Sequence, residues 1–238
     1  MTTEKRDSLG DRMKGQYEDR ARFMLPRRTY TIIRCDGKSF HTYTRRMEKP
    51  FDERLAQAID VAAVRLCEDA QGAKMAYVQS DEISVLLTDF ALTTTEAWFD
   101  GNLQKICSVA ASIVTQAFNA SAQDRGLSPT ALFDARVFTI PDPVEVENYF
   151  IWRQKDAERN SLAMLCQQHY SATQLHGQAA AAQHDLLYAQ GVNWNDLSAY
   201  WKRGRCARYT EDDGWVIDAE IPVFTAERTY FNLPRRED

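Results

Sequence analysis

Between Thr29 and Ile140 the apolar residues switch period in a fixed order, and that order narrows the possible folds more than any other property of the chain. Thr29 to Cys35 is rich in β-branched and aromatic residues and stops at Asp36-Gly37, as a strand does when it runs into a turn. From Phe51 the positions Phe51, Leu55, Ala58, Ile59, Ala62, Leu66 and Ala70 recur at helical steps until Gly72, which closes an amphipathic helix. Lys74 to Gln79 and Ile83 to Asp89 are short apolar segments on either side of Ser80-Asp81-Glu82, the pattern of a hairpin with an acidic tip. Trp98, Ile106, Ala110, Ile113, Val114 and Ala117 share a second helical face, with a break expected from Asn119 onward. Leu132 to Ile140 is a fourth strand, closed by Pro141-Asp142-Pro143.

The predicted order is βαββαβ, an α+β fold of the ferredoxin-like arrangement. In such an antiparallel sheet the first and third strands are central neighbours, so the end of the first lies beside the start of the third. Asp36 and Asp81 are therefore expected to meet, although they are far apart in sequence. A short helix or arm around Asp11 to Phe23 precedes this unit. After Pro143 the pattern becomes mainly helical, with Val144 to His169, Gln178 to Gln190 closed by Gly191, and a short piece near Leu197 to Trp201. A last hairpin joins Cys206 to Thr210 and Trp215 to Ala219 through Glu211-Asp212-Asp213-Gly214.

Two carboxylates at neighbouring strand ends offer what Mg²⁺ needs, namely hard oxygen ligands, with waters and phosphates filling the other positions. Two such ions about 3.5–4 Å apart clamp the attacking and leaving oxygens of an in-line displacement at phosphorus. The expected metal set is Asp36, Gly37 through its main-chain carbonyl, and Asp81. Glu82 alternates to the other side of its strand and is expected in the catalytic set as a supporting group. Each motif has a plainer reading, since Asp-Gly is a common turn and Ser-Asp-Glu a polar hairpin tip. Their convergence favours catalysis. The architecture implied is a polymerase- or cyclase-type palm, with the arm and palm in residues 1–142 and a mainly helical extension in residues 143–238, packed as one globular unit.

Phosphate binding draws on clustered Lys and Arg, so in a chain of formal net charge −5 any nucleic-acid site has to be local. The five cysteines are scattered, with no paired spacing for zinc, as in a reduced cytoplasmic protein. Met1 to Asp7 is polar and no apolar run approaches the roughly 20 residues of a membrane helix, so neither export nor membrane anchoring is expected.

The stretches Arg34-Cys35-Asp36-Gly37-Lys38-Ser39-Phe40-His41, Lys49-Pro50, Gln79-Ser80-Asp81-Glu82-Ile83-Ser84, Phe133-Asp134-Ala135-Arg136 and Trp152-Arg153-Gln154 resemble, in this order and spacing, the tRNA-histidine guanylyltransferase family. The likeness runs over residues 8–208. It implies a 3′-5′ polymerase: the RNA 5′ end is activated by ATP or GTP, and the 3′-hydroxyl of an incoming nucleoside triphosphate displaces the activating group. Carried over, the catalytic positions fall on Asp36, His41, Asp81 and Glu82, with two Mg²⁺ ions on Asp36, Gly37 and Asp81. The nucleotide-binding positions fall on Arg34, Lys38, Ser39, Phe40, His41, Lys49 and Ser80. Where eukaryotic members carry His-Ile-Asn-Asn-Leu-Tyr-Asn after Trp-Arg-Gln, this chain reads Glu158-Arg159-Asn160-Ser161-Leu162-Ala163-Met164, and only Asn160 and Leu162 line up. The chain is thus similar to the prokaryotic and phage-type branch, associated with template-dependent repair of truncated tRNA 5′ ends.

Aromatic rings beside basic groups suit stacking plus phosphate contact, which makes Arg153, Lys155, Asn160, Lys202, Arg203 and Arg205 the expected RNA-facing residues. Trp152, at helical spacing from Tyr149, is expected in the core. Arg34, inside a strand, needs a partner such as Asp36 or a phosphate. The resemblance also implies a homotetramer, which could gather basic patches that one subunit keeps apart. Two alternatives share these motifs: a nucleotidyl cyclase acting on a free nucleoside triphosphate, and a non-catalytic RNA- or nucleotide-binding module that retains a palm.

Overall fold

The architecture comes from a computed structural model that describes residues 8–234; the polar segment from Met1 to Asp7 lies outside the described residues. The expected arm is a broken helix. It begins as α1 (Leu9–Met13), capped by the Ser8 side chain, and continues through a π turn at Lys14–Glu18 and a 3₁₀ turn at Asp19–Ala21. None of its residues is buried.

The strands and helices then follow in the expected order: β1 (Tyr30–Gly37), the short α2 (Phe40–Tyr43), α3 (Glu53–Asp69), β2 (Ala73–Gln79), β3 (Glu82–Thr88), α4 (Leu103–Asp124) and β4 (Phe133–Ile140). The extension supplies α5 (Pro143–Cys166), α6 (Ala172–Leu175), α7 (Ala180–Ala189), α8 (Ala199–Arg203), β5 (Arg205–Thr210) and β6 (Gly214–Asp218). The sheet order is β4-β1-β3-β2-β5-β6, with every neighbouring pair antiparallel. The terminal hairpin is thus no separate ornament, since β5 pairs with β2 and extends the same sheet.

Strand alternation sends successive side chains to opposite faces. Ile33, Cys35, Ala76, Val78 and Val85 pack against Leu66 of α3 and Val114 and Phe118 of α4. Tyr30, Ile32, Tyr77 and Leu86 take the other face, against Phe150 and Ala157 of α5 and Phe224 and Phe231 near the C-terminus. Of the ten residues of α7 only Leu187 is buried, worth about 2 kcal/mol, whereas α5 buries residues from Val146 to Cys166. It is α5, therefore, that fixes the second face.

Two sequence expectations are corrected here. Asn119 does not end the second helix, which runs on to Asp124. Its carboxamide instead both donates to the Ala131 carbonyl and accepts from the Ala131 N–H, each at 2.9 Å, tying α4 to the segment that enters β4. Trp152 is not in the core but 53% exposed. Its inner face lies against the Arg153 guanidinium, 4.4 Å from the ring centroid.

Candidate active site

The register of three strands gathers acid at one end of the sheet. Asp36 of β1 stands opposite Glu82 of β3 on one side and Asp134 of β4 on the other. Paired residues share a face, and like charges directly opposite one another repel. Two of the three are neutralised. Arg153 of α5 donates to both oxygens of Glu82, at 2.8 and 2.6 Å, and Arg136 reaches Asp134 at 3.3 Å. Among the described residues no ion pair involves Asp36.

Asp81 immediately precedes Glu82, in a two-residue turn whose first member, Ser80, has φ 47°. Primed hairpin turns need that positive φ. The Ser80 hydroxyl donates to Asp81 at 3.1 Å, and no ion pair among the described residues involves Asp81. Burial first, and the charge of Asp36 second, push the Asp81 carboxyl up to about 6. Asp36 and Asp81 are thus electrostatic neighbours lacking a cation, a donor set that fits hard divalent ions. Among the described residues no cluster of three or more His, Cys, Asp or Glu side chains is placed to hold a metal, so further ligands would come from the main chain, water or substrate. Gly37 is needed for packing as well, because a Cβ there would run into the buried Phe40 ring.

Glu82, expected among the catalytic carboxylates, is buried, and Arg153 holds both its oxygens. It positions the turn rather than offering a free ligand. The Ser84 hydroxyl donates to Glu82 at 3.2 Å and is itself 2.8 Å from the Tyr149 hydroxyl, which ties α5 to this corner. Arg34 does not pair with Asp36. It stands between Ser84 and Arg136 in the ladder, half-buried, with an Nε that has no partner among the described residues.

Lys38, Ser39 and His41 are exposed on the loop and short helix after β1, with Ser39 at φ 56°. The Phe40 ring is buried between Phe118 and Phe133, so this residue can face a ligand only through its main chain. Lys49 and Ser80, both exposed, mark the opening of a cavity of about 130 Å³. The cavity runs between the loop before α3, the end of β2, α5 and α8. Phe51 and Trp201 stack along its wall, with centroids 4.8 Å apart and planes 13° from parallel. Asp52 shapes the loop by capping α3 through Arg54 N and Leu55 N and accepting from Glu48 N at 3.1 Å. The Arg54 side chain, hydrogen-bonded to Asp52, keeps that carboxyl below its usual range.

The expected RNA-facing set divides. Lys155 and Asn160 are exposed, and Asn160 borders the cavity. Lys202 is half-buried over the Trp194 ring and donates to the Asn195 carbonyl at 2.7 Å. Arg203 is half-buried, with an Nε that has no partner among the described residues. Arg153 and Arg205 are corrected, because each is buried in an ion pair, with Glu82 and Asp156 in one case and Asp60 in the other. A guanidinium withdrawn from water is retained only with such a partner.

Residues 10–141 match the model of the family described as Thg1, tRNAHis guanylyltransferase. The chain belongs to this family. It is accordingly a nucleotidyltransferase. A bacterial Thg1-like protein solved in complex with ATP superposes with a TM-score of 0.88 and 44% identity, over 94% of this chain and 97% of that one. A bacterial Thg1-like structure in complex with GTP gives 0.81 and 40%, with the same coverage. The tRNA(His) guanylyltransferase of Debaryomyces hansenii is 29% identical over 78% of this chain and 75% of its own length. A protein of Acanthamoeba polyphaga mimivirus is 32% identical over 66% of this chain, which spans 61% of that relative.

Sequence reasoning on this Thg1 family member missed the cavity residues Phe51, Trp201 and Gln79. The first two are far apart in the chain and meet only through stacking. Gln79 was visible as the first residue of Gln79-Ser80-Asp81-Glu82, yet nothing in the motif tells that its side chain lines a cavity.

Proposed function

We propose that this chain adds nucleotides, templated by the opposite strand, to the 5′ end of a tRNA or tRNA-like RNA after that end has been activated by ATP or GTP. Family membership makes the nucleotide-transfer chemistry and the tRNA substrate the natural reading, and the solved Thg1-like relatives hold ATP and GTP. The βαββαβ order with β1 and β3 adjacent supports a ferredoxin-like palm in residues 1–142, served by the extension in residues 143–238.

One observation carries the assignment. At the acidic end of the sheet Glu82 and Asp134 have arginine partners, whereas Asp36 and Asp81 have none among the described residues. Two Mg²⁺ ions held by Asp36, the Gly37 carbonyl and Asp81 would supply charge neutralisation at the attacking and leaving oxygens. Arg34, His41, Lys49 and Ser80 would position the triphosphate, with little covalent work left for the protein. The cavity opening at Lys49 and Ser80 takes the base of the activating nucleotide, because its wall offers stacked aromatic rings and its mouth the polar groups a phosphate tail needs. Lys155, Asn160, Lys202 and Arg203 are the remaining candidates for RNA contact. We place the enzyme in the cytoplasm as a homotetramer, in which one subunit's basic residues reach RNA bound at another.

The test is extension of a 5′-truncated tRNA with Mg²⁺ and each nucleotide, followed by sizing of the product. Added nucleotides that vanish in Asp81→Ala are expected. Product from ATP or GTP alone, without RNA, would instead mark a cyclase.

A further inference from the structure

Gln79 ends β2 and is only 4% exposed, yet its Oε1 has no hydrogen-bond partner among the described residues. A buried acceptor left open is disfavoured unless something outside the folded chain satisfies it. The same side chain lines the cavity of about 130 Å³ described above, and a half-turn of its amide plane brings the acceptor to the empty space. A planar base can enter this cavity with its sugar and phosphates directed toward the exposed Lys49 and Ser80.

We propose that Gln79 is a specificity-determining residue that reads the hydrogen-bonding edge of the purine in this cavity. The inference rests on the nucleotide reading of the cavity given above and adds to it the group that recognises the base. Adenine presents its 6-amino hydrogens and guanine its N1 and 2-amino hydrogens, so a single carboxamide oxygen accepts from either. The amide nitrogen, on the other arm of the same plane, can turn toward the neighbouring ring acceptor of each base. One side chain therefore serves both ATP and GTP, whereas a purine lacking any exocyclic donor leaves Oε1 as it is in the free protein.

The experiment measures equilibrium binding of ATP and of purine riboside triphosphate, which lacks the 6-amino group, to the full chain with Mg²⁺ and no RNA. The wild type is expected to prefer ATP by about tenfold, the usual consequence of leaving one buried acceptor unpaired. In Gln79→Leu the two ligands are expected to bind equally. A preference that survives in Gln79→Leu overturns the proposal. Because Oε1 makes no bond to the described residues, Gln79→Leu is expected to unfold at or above the wild-type temperature. If branching at this site prevents folding, Gln79→Met, which keeps the length and removes the amide, gives the same comparison. Transfer to a truncated tRNA is scored separately. Loss of the ATP preference in the variant, with no transfer by the wild type, supports the Gln79 assignment and rejects the proposed function. Transfer by the wild type, with no Gln79-dependent preference, does the reverse.

Discussion

Arg153 of α5 holds both carboxylate oxygens of Glu82 at the first position of β3, through hydrogen bonds of 2.8 and 2.6 Å between two buried side chains. The pair fixes the residue next to Asp81 and opposite Asp36, so the geometry of the acidic corner depends on a helix from the extension. Arg153→Ala leaves a buried carboxylate uncompensated and is expected to cost about 3–5 kcal/mol. Urea denaturation followed by circular dichroism checks this, and a loss below about 1 kcal/mol would mean that Glu82 is served by water.

Asp81 makes stability depend on pH. Its carboxyl is pushed up to about 6 by burial and by Asp36. A carboxyl raised in the folded state stabilises the fold below its unfolded value, and that contribution is lost as pH rises through about 6. Without divalent cations the chain is therefore expected to be less stable at about pH 8 than at about pH 5 by on the order of 1 kcal/mol from this group. Asp81→Asn should remove that slope, raise metal-free stability at the higher pH and abolish nucleotide addition. Thermal denaturation across the range, with and without Mg²⁺, reads all but the last. Retention of the slope in Asp81→Asn would assign it to another group.

Gly37→Ala drives a methyl into the buried Phe40 ring. Overpacking of this kind costs about 1–3 kcal/mol, and the ring can yield only by moving the loop that carries Lys38, Ser39 and His41. We expect a lower melting temperature together with a higher KM for nucleoside triphosphate. A variant that loses stability with KM unchanged would separate the loop from nucleotide binding.

Lys49 is exposed at the cavity mouth, where its contact with a phosphate would be screened by salt. Lys49→Ala is expected to raise the triphosphate KM about fivefold at low ionic strength, with a smaller effect at high salt. Folding and metal affinity should not change. Steady-state kinetics at two salt concentrations provide the check, and equal effects at both would argue against a charge contact.

The strand and helix order of the first 140 residues was legible because apolar periodicity is local: each face declares itself within a few turns or pleats. The polarity of Asn119, locally a sign of a helix end, serves a segment twelve positions away at Ala131. Trp152 is exposed despite its helical spacing from Tyr149, because spacing does not tell how wide the buried stripe is. Arg153 and Arg205 looked like RNA contacts because charge alone does not distinguish a solvated guanidinium from one buried against Glu82 or Asp60.

What the sequence determined unaided was the βαββαβ order and, through it, the adjacency of β1 and β3 that carries Asp36 toward Asp81, since pattern and antiparallel pairing constrain each other along the chain. Only the tertiary structure decided which charges are free. Whether a carboxylate or guanidinium keeps its charge for a ligand or spends it on a neighbour depends on elements distant in sequence, as α5 does for Glu82 and α3 for Arg205. The cavity lined by Gln79, Phe51 and Trp201 belongs to that second kind of information, because it exists only in the space those elements leave between them.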